Sequence, residues 1–206
     1  MSYFTPRSLS KSLAELGVSD SHELFGLLNT LHTESTRHYH SDKHISACLK
    51  HFLDYRPFAQ RPAEIEIAFW FHDAIYDTRS NDNEEQSAEL AIRELKKLTA
   101  RSEAIERIQQ MILATKTHIP ATLDAAIVVD IDLGILGSSP EEFENYDVAI
   151  RKEYDWVPEK QYKPARADVL ETFLMRAHIY HTPAIREALE DQARENLTRK
   201  IAELRA

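Results

Sequence analysis

One short apolar segment that ends in a His-Asp pair constrains this chain more than any other part of it. The segment covers residues 65–71 and reads IEIAFWF, and His72 and Asp73 follow it directly. A helix that is apolar around nearly its whole circumference must be buried, and a buried imidazole beside a buried carboxylate costs roughly several kcal/mol unless both are satisfied. A metal ion is the usual partner, so the pair predicts a buried metal site.

Other candidate ligands lie in or beside apolar segments. His44 lies upstream, in the segment YHSDKHI, and Asp130 and Asp132 lie downstream, in the segment IVVDIDL. An adjacent His and Asp would be weak evidence alone, because the chain has 10 His and 34 acidic residues. The prediction of a metal site therefore depends on these additional residues.

Composition restricts the class of protein. The chain has 206 residues and a net charge of −9, and its Lys and Arg residues are spread rather than clustered, which disfavours duplex nucleic acid as a ligand. Cys48 is the only cysteine, which excludes an intrachain disulfide or a zinc ribbon and fits a reducing compartment. The N-terminus lacks a signal pattern, and no apolar run approaches the ~20 residues of a membrane span. We expect a cytoplasmic protein with no membrane partner.

The pattern of apolar residues predicts an all-α protein. The chain has only four glycines and no long stretch of alternating β-branched residues. Helix signals are present over 24–31, 45–58 and 62–76, from Asp82, from Ser102, over 123–136 with a stop near Gly137, over 140–154, and in two further segments, the last from Pro183.

We predict a single domain over residues 1–206, because no Gly-, Ser- or Pro-rich linker divides the chain. Its metal-site core would span about 37–137, and the C-terminal helices, 140–206, would pack on that core. The last helix has an apolar stripe at 185, 189, 197, 201 and 204. The stripe either packs on the body of the domain or forms the seam of a homodimer. Glu190 and Arg194 are spaced as a helical ion pair.

Together these acids and histidines resemble the HD superfamily of metal-dependent phosphohydrolases. The superfamily pattern has a His on one helix, a His-Asp pair on a second and an Asp on a later one; here these are His44, His72-Asp73 and, because a small apolar residue precedes it and Leu follows it, Asp132. The resemblance covers roughly residues 37–136. Three further segments, 37–40 (RHYH), 83–88 (NEEQSA) and 150–154 (IRKEY), resemble an uncharacterised bacterial branch of HD hydrolases. The resemblance implies a compact multi-helix HD-like bundle.

The chemistry of these donors is consistent with a catalytic ion. Two neutral imidazoles and two carboxylates suit one divalent ion of Mn, Fe, Co, Ni or Zn better than Ca, and Mg is also compatible. Four protein ligands on a six-coordinate ion leave positions for water and a substrate oxygen.

The choice between Asp130 and Asp132 stays open at this point. Two residues apart on a helix, their side chains point about 200° away from each other, so both cannot face one ion. We expect Asp132 to be the ligand. Asp130 would then support a ligand without binding the ion, or it would pair with a cation. The reverse assignment is the alternative.

A catalytic acid or base is expected shortly after the His-Asp pair. Many members of the superfamily have an acid in this stretch, and here Tyr76 occupies one of the positions where others have Glu. Asp77 is our candidate for this acid. The alternative is that Asp77 is only a residue of the C-terminal turn of the helix. His40 is expected to contact phosphate or to lie behind the metal, unless it is an ordinary surface histidine.

Four further residues are candidates for binding the phosphate of a substrate. Lys116 and His118 end an apolar helix, where a cation would meet phosphate oxygens; a His there is also favourable with the helix dipole alone. Arg37 and Arg151 each have a guanidinium that binds two oxygens at once, or each pairs with a surface acid.

These observations predict an enzyme that hydrolyses a small phosphorylated substrate, such as a nucleotide, with a metal-activated water. Two alternatives remain. One is a metal- or nucleotide-binding protein without turnover. The other is a di-iron oxygenase of the same superfamily, for which His40 and His118 would have to be ligands.

Overall fold

The structure is a computed structural model that describes residues 2–19 and 22–206. Every regular element in this part of the chain is helical, which confirms the predicted all-α class. Two short 3₁₀ segments, Arg56–Phe58 and Leu133–Gly137, accompany the α-helices. The α-helices are α1 (Pro6–Leu16), α2 (His22–His32), α3 (Asp42–Tyr55), α4 (Pro62–Phe71), α5 (Asn83–Lys97), α6 (Ser102–Thr117), α7 (Leu123–Asp132), α8 (Pro140–Glu153), α9 (Glu159–Leu174) and α10 (Pro183–Arg205).

The chain forms two compact units, one ending at Ile131 and the other covering Asp132–Ala206. The boundary between the units falls just before Asp132, which is the last residue of α7. We therefore describe Asp132 together with α7. The expectation of a single domain stays a prediction. Within the described residues, no helix combines the length and the apolar character needed to cross a bilayer.

Helix α4 is the centre of the first unit. Helices α1, α3, α5 and α6 all pack against it, which is why the apolar run of residues 65–71 is buried on every side. The acids of this helix are satisfied: Glu66 accepts hydrogen bonds from Ser12 Oγ at 2.6 Å and Arg56 Nε at 3.1 Å. Glu64 accepts two from Arg107, at 2.7 and 2.6 Å. Buried carboxylates are tolerated here because each has a paired donor.

A carboxylate of α7 holds the beginning of α4. The side chain of Asp124, in the first turn of α7, accepts the backbone N–H groups of Gln60 at 2.8 Å and Arg61 at 3.0 Å. Asp124 is buried and lies at the opposite end of α7 from Asp132. The first turns of α4 and α7 are therefore joined directly.

The predicted helix over residues 62–76 is too long, because α4 ends at Phe71. The guanidinium of Arg37 accounts for the break: it donates to the carbonyl oxygens of Asp73 at 2.5 Å and Ala74 at 2.9 Å. Ser87 then receives the N–H of Ile75 at 3.0 Å. Backbone groups that would continue the helix are thus bound by side chains from elsewhere in the first unit.

The second unit contains the helix predicted over residues 140–154, which forms as Pro140–Glu153. The Ser139 side chain and the Glu142 side chain form a reciprocal capping box that begins α8. The predicted pair of Glu190 and Arg194 also forms, with nitrogen and oxygen 2.7 Å apart. Whether the apolar stripe of α10 also serves a dimer stays an open prediction.

The requirement for glycine at position 137 has a different cause from the one that the sequence indicated. The sequence suggested a helix terminator, but no left-handed backbone is found there, and a Cβ at this position would lie 2.6 Å from Leu189 Cβ. The 3₁₀ segment Leu133–Gly137 packs directly against α10. Glycine is therefore needed for the close approach of two backbones.

Candidate metal centre

Four side chains bring potential metal ligands together. One ligand atom from each of His44, Cys48, His72 and Asp132 lies within 4.8 Å of every other, and the first three residues are buried. His44 and Cys48 come from α3, His72 follows the last residue of α4, and Asp132 ends α7. A buried group of this composition can hold a metal ion, since nitrogen, sulfur and carboxylate oxygen are all ligands for divalent transition metals.

The orientation of His72 is set by the helix that it follows. Its Nδ1 lies 3.0 Å from the carbonyl oxygen of Phe69, which can only accept a hydrogen bond, so Nδ1 carries the proton. The neutral ring then presents an unprotonated Nε2 to the group. Metal-binding histidines in proteins commonly have this arrangement, in which a carbonyl fixes the tautomer and the ring plane.

The two imidazoles face each other through their Nε2 atoms, 3.1 Å apart. With His72 Nε2 unprotonated, either His44 donates to it or a cation binds both nitrogens. Two nitrogens bound to one ion at about 2.0–2.1 Å lie roughly 2.9–3.4 Å apart, for angles between 90° and the tetrahedral value. The observed separation falls in this range.

Asp73 adds a carboxylate oxygen that lacks a donor. Its Oδ2 lies 3.0 Å from Nε2 of His72 and 3.6 Å from Nε2 of His44. No hydrogen bond reaches this buried oxygen within the described residues, which agrees with the unprotonated state of His72 Nε2. Burial alone would raise the pKa of Asp73, whereas positive charge among the neighbouring donors lowers it: when the adjacent His72 ring, or His40 or His44, is protonated, the pKa of Asp73 falls below its usual value.

The donors therefore meet the requirement for a cation. An unprotonated imidazole nitrogen and an orphaned carboxylate oxygen lie 3.0 Å apart, with a second imidazole nitrogen within 3.6 Å of both. A positive ion among them would remove the cost of burying electron pairs that face one another.

Cys48 is the residue that the sequence interpretation missed. It lies one helical turn after His44, and its Sγ is 3.6 Å from His44 Nε2 and 3.9 Å from Nδ1. From the sequence, Cys48 served to exclude an intrachain disulfide and a zinc ribbon and to indicate a reducing compartment. The spacing of four residues on one helix was the signal that could have identified it, because such residues share a face.

The two aspartates of α7 differ as the helix geometry requires. Asp132 belongs to the group of potential ligands, whereas Asp130 is fully buried and does not. The structure thus places Asp132 in the position expected of a ligand. Ligation itself, for Asp132 as for His44, His72 and Asp73, stays a prediction.

Arg37 has protein partners in place of the predicted phosphate. Its side chain is only 1% exposed. Besides the carbonyls of Asp73 and Ala74, it donates to the carbonyl of His40 at 3.0 Å and to Glu34 at 3.3 Å. The geometry favours a role in positioning Asp73 over contact with a substrate.

The structure gives His40 and Asp77 different surroundings. The His40 ring precedes α3 and stacks on Tyr76, with centroids 4.1 Å apart, and its centroid is 6.0 Å from that of His44. A position beside a candidate ligand favours one of the three roles that the sequence allowed, that of a residue behind the metal. Asp77 is exposed, and its side chain accepts the N–H of Arg79 at 2.9 Å. It lies in a loop beyond α4, which favours the alternative of a turn residue over a catalytic acid.

The other residues predicted to contact phosphate either have protein partners or end a helix. Lys116 donates to the Asn81 carbonyl at 2.6 Å and to Glu85 at 2.5 Å. His118 ends α6 in a left-handed conformation, with φ of 54°. In the second unit, Arg151 donates to the carbonyls of Tyr154 and Val157. Lys116 therefore already has a carbonyl and a carboxylate partner, and Arg151 has backbone partners in place of the phosphate or the surface acid expected for it.

A third buried imidazole, His32, is fully enclosed. Its Nε2 donates to the carbonyl of Trp70 at 3.1 Å, and its Nδ1 has no partner among the described residues. Burial lowers the pKa of His32 to about 4, and the nearby Arg37 adds to this effect, against the opposing hydrogen bond to Trp70. His32 is therefore neutral in the folded chain at physiological pH.

Comparisons of the chain with protein-family models, with curated proteins and with solved structures each gave no significant match. The case for a metal centre therefore rests on the positions and protonation of its donors.

Proposed function

We propose that this protein is a metal-dependent phosphohydrolase of the HD superfamily that acts on a nucleotide or another small phosphorylated metabolite. The observation that carries the proposal is the convergence of His44 Nε2, His72 Nε2 and Asp73 Oδ2, within 3.0–3.6 Å of one another. These three residues match the His and His-Asp elements of the superfamily pattern. Asp132, the fourth element, belongs with His44, His72 and Cys48 to the group of potential ligands.

In the proposed enzyme His44, His72, Asp73 and Asp132 hold one divalent ion. Such an ion lowers the pKa of a bound water and polarises a phosphoryl oxygen. The chain itself contributes positioning: the Phe69 carbonyl holds the His72 ring, and Arg37 holds the turn that carries Asp73. Both contacts limit the movement of donors when substrate binds.

We propose Glu84 as the proton donor in place of Asp77. It lies in the first turn of α5 beside Asn83 and one turn before Ser87, and these two residues bind the backbone of Asp77 and Ile75 in the loop after Asp73. Burial raises the pKa of Glu84, and the Asp73 carboxylate raises it further, against an opposing backbone hydrogen bond. A carboxyl group that keeps its proton to higher pH can protonate a leaving group.

A binding protein without turnover is the second candidate. The observation that favours it is the loss of the expected acid: Tyr76 stacks on His40, and Asp77 is a turn residue. The di-iron alternative receives less support, because neither His40 nor His118 belongs to the described group of potential ligands.

The decisive experiment is metal analysis of the purified protein, followed by phosphate release from a panel of nucleotides and sugar phosphates with Mn, Co, Ni and Mg added. We expect one tightly held ion, metal-dependent release, and a decline at acid pH, because ligand imidazoles must be neutral. His72→Ala should lose both metal and activity. If no metal-loaded form releases phosphate from the panel, the hydrolase proposal fails, and nucleotide titration then tests the binding protein.

Two isosteric substitutions separate the candidate acids. Glu84→Gln should lower turnover while leaving the metal content unchanged, because it removes a proton donor and no ligand. Asp77→Asn is the matched control, and we expect near-normal turnover. The opposite result, with only Asp77→Asn impaired, would restore the assignment made from the sequence.

A further inference from the structure

We propose that the thiolate of Cys48 is a ligand of the metal ion and makes the site select zinc, cobalt or ferrous iron over magnesium and manganese. This inference rests on the metal centre of the proposed function, but it does not depend on hydrolysis. It concerns the one residue of the group that the superfamily pattern does not contain.

The position of the sulfur matches that of a ligand. Cys48 Sγ lies 3.6 Å from His44 Nε2. For a sulfur bound at about 2.3 Å and a nitrogen at about 2.0–2.1 Å, a tetrahedral angle at the ion gives a separation of roughly 3.5 Å. The sulfur and the imidazole are thus spaced as two donors to one ion.

The fold holds Cys48 in this position. His44 and Cys48 lie four residues apart on α3, so both side chains project from one face, and Cys48 is 3% exposed. The neighbouring buried residues of this helix, Ile45, Leu49 and Phe52, are apolar. Cys48 shares this buried face, but it differs from these residues because its sulfur also lies close to the ligand atoms of three other potential metal ligands, His44, His72 and Asp132.

A thiolate changes which ions bind. Soft sulfur ligands favour zinc and other later transition metals, whereas carboxylate and water suit magnesium and manganese. Two imidazoles, the Cys48 thiolate and the carboxylates of Asp73 and Asp132 give the centre five donors of mixed type, a set that suits zinc, cobalt or ferrous iron better than magnesium. Binding also requires loss of the thiol proton, because only the thiolate is a ligand.

Cobalt provides a direct test, because a Co²⁺–thiolate bond produces an intense near-ultraviolet charge-transfer band. Cys48 is the only cysteine, so such a band in the metal-stripped, cobalt-reloaded protein can only report this residue. We expect the band in the parent and its loss in Cys48→Ser, while the weaker visible cobalt bands persist. Ala47→Ser is the matched control, since it adds a hydroxyl at the adjacent, exposed position of α3 and should leave the band unchanged.

Selectivity gives a second readout. Competition between Zn²⁺ and Mn²⁺ should show a preference for zinc that falls on the order of 100-fold in Cys48→Ser, since even changes behind the ligands cost 10–100-fold in metal affinity. An unchanged preference would contradict the role of the thiolate in selection.

Each outcome bears on one proposal or the other. Visible cobalt bands without the charge-transfer band in the parent overturn thiolate ligation, and so does a parent that binds no cobalt. If Cys48→Ser does not fold, the band of the parent decides alone. If the parent shows the band but releases no phosphate, thiolate ligation stands and the hydrolase proposal fails. If the parent releases phosphate but shows no band, the hydrolase proposal stands and thiolate ligation fails.

Discussion

Arg37 offers the sharpest test of how the protein positions its metal ligands. Replacing it with Met removes a buried guanidinium and keeps a side chain of similar length. Three carbonyl oxygens, those of His40, Asp73 and Ala74, would lose charged donors now at 2.5–3.0 Å. The turn that carries Asp73 would then lack the contacts that stop α4 at Phe71.

The cost follows from the number and burial of these bonds. Hydrogen bonds to charged groups contribute about 1.5–3 kcal/mol each, and three of them, counted as less than additive, give roughly 3–5 kcal/mol. Small domains have a free energy of unfolding of about 5–15 kcal/mol, so the variant should be folded but markedly less stable. Arg37→Lys should recover only part of the loss, because an ammonium cannot reach all three oxygens as a planar fork does.

Metal affinity is the second expected effect. Because Asp73 would lose its positioning contact, we expect affinity for Zn²⁺ or Co²⁺ to fall about 10–100-fold. Urea denaturation of the metal-free protein and metal titration together measure both quantities. Glu34→Gln is the control, since Glu34 pairs with the same guanidinium from an exposed position and should cost under about 1 kcal/mol. A stable Arg37→Met variant with parental metal affinity would refute the positioning role.

Two further predictions concern stability. Gly137→Ala should destabilise the protein by about 1–3 kcal/mol, because the new Cβ would lie 2.7 Å from Leu189 O. Gly26→Ala is the matched change, because a Cβ there would meet no atom within 4 Å, and it should stabilise α2 by roughly 0.5–1 kcal/mol. Equal shifts of the two urea midpoints would contradict this prediction. For His32, the unfolded chain binds a proton near pH 6.5 and the folded chain only near pH 4, so stability should fall as the pH drops between these values, by roughly 3 kcal/mol. Without metal, denaturation across this range should show the loss in the parent and not in His32→Gln, and parallel curves would show that His32 does not titrate as proposed.

Local signals were sufficient for much of the fold. The apolar run of residues 65–71 predicted a helix buried on all sides, and α4 is that helix. The helix predicted over residues 140–154 forms as Pro140–Glu153, and Ser139 and Glu142 cap its beginning. These features could be predicted because they depend on neighbours within one or two helical turns.

The failures share a physical cause, which is contact with distant parts of the chain. Apolar Ala74 and Ile75 continue the helical pattern, but Arg37, far away in sequence, binds the backbone that a longer α4 would need. Gly137 does end the helical segment, as predicted, but the contact that requires a glycine there is with the distant Leu189. No local pattern reveals such contacts.

The candidate site was predicted in part for the same reason. His44, His72 and Asp132 were singled out as polar residues in apolar helices, and their ligand atoms do lie together. Asp77 and Lys116 were proposed from their position along the chain, and their side chains have other partners. Cys48 was overlooked because a single cysteine was considered only for disulfides and for sites built from several cysteines, and not as one ligand beside histidines and acids.

The pairing of α4 and α7 has a consequence for how this protein can change during evolution. Asp124 joins the first turns of the two helices, and His72 and Asp132 meet at their far ends, so the two helices, Pro62–Phe71 and Leu123–Asp132, must match in length. One inserted residue in either helix would advance its end by about 1.5 Å and rotate it by about 100°, which would turn a ligand away from the ion. Insertions or deletions in one helix should therefore survive only with a compensating change in the other, and the loops between them are where related chains should vary in length.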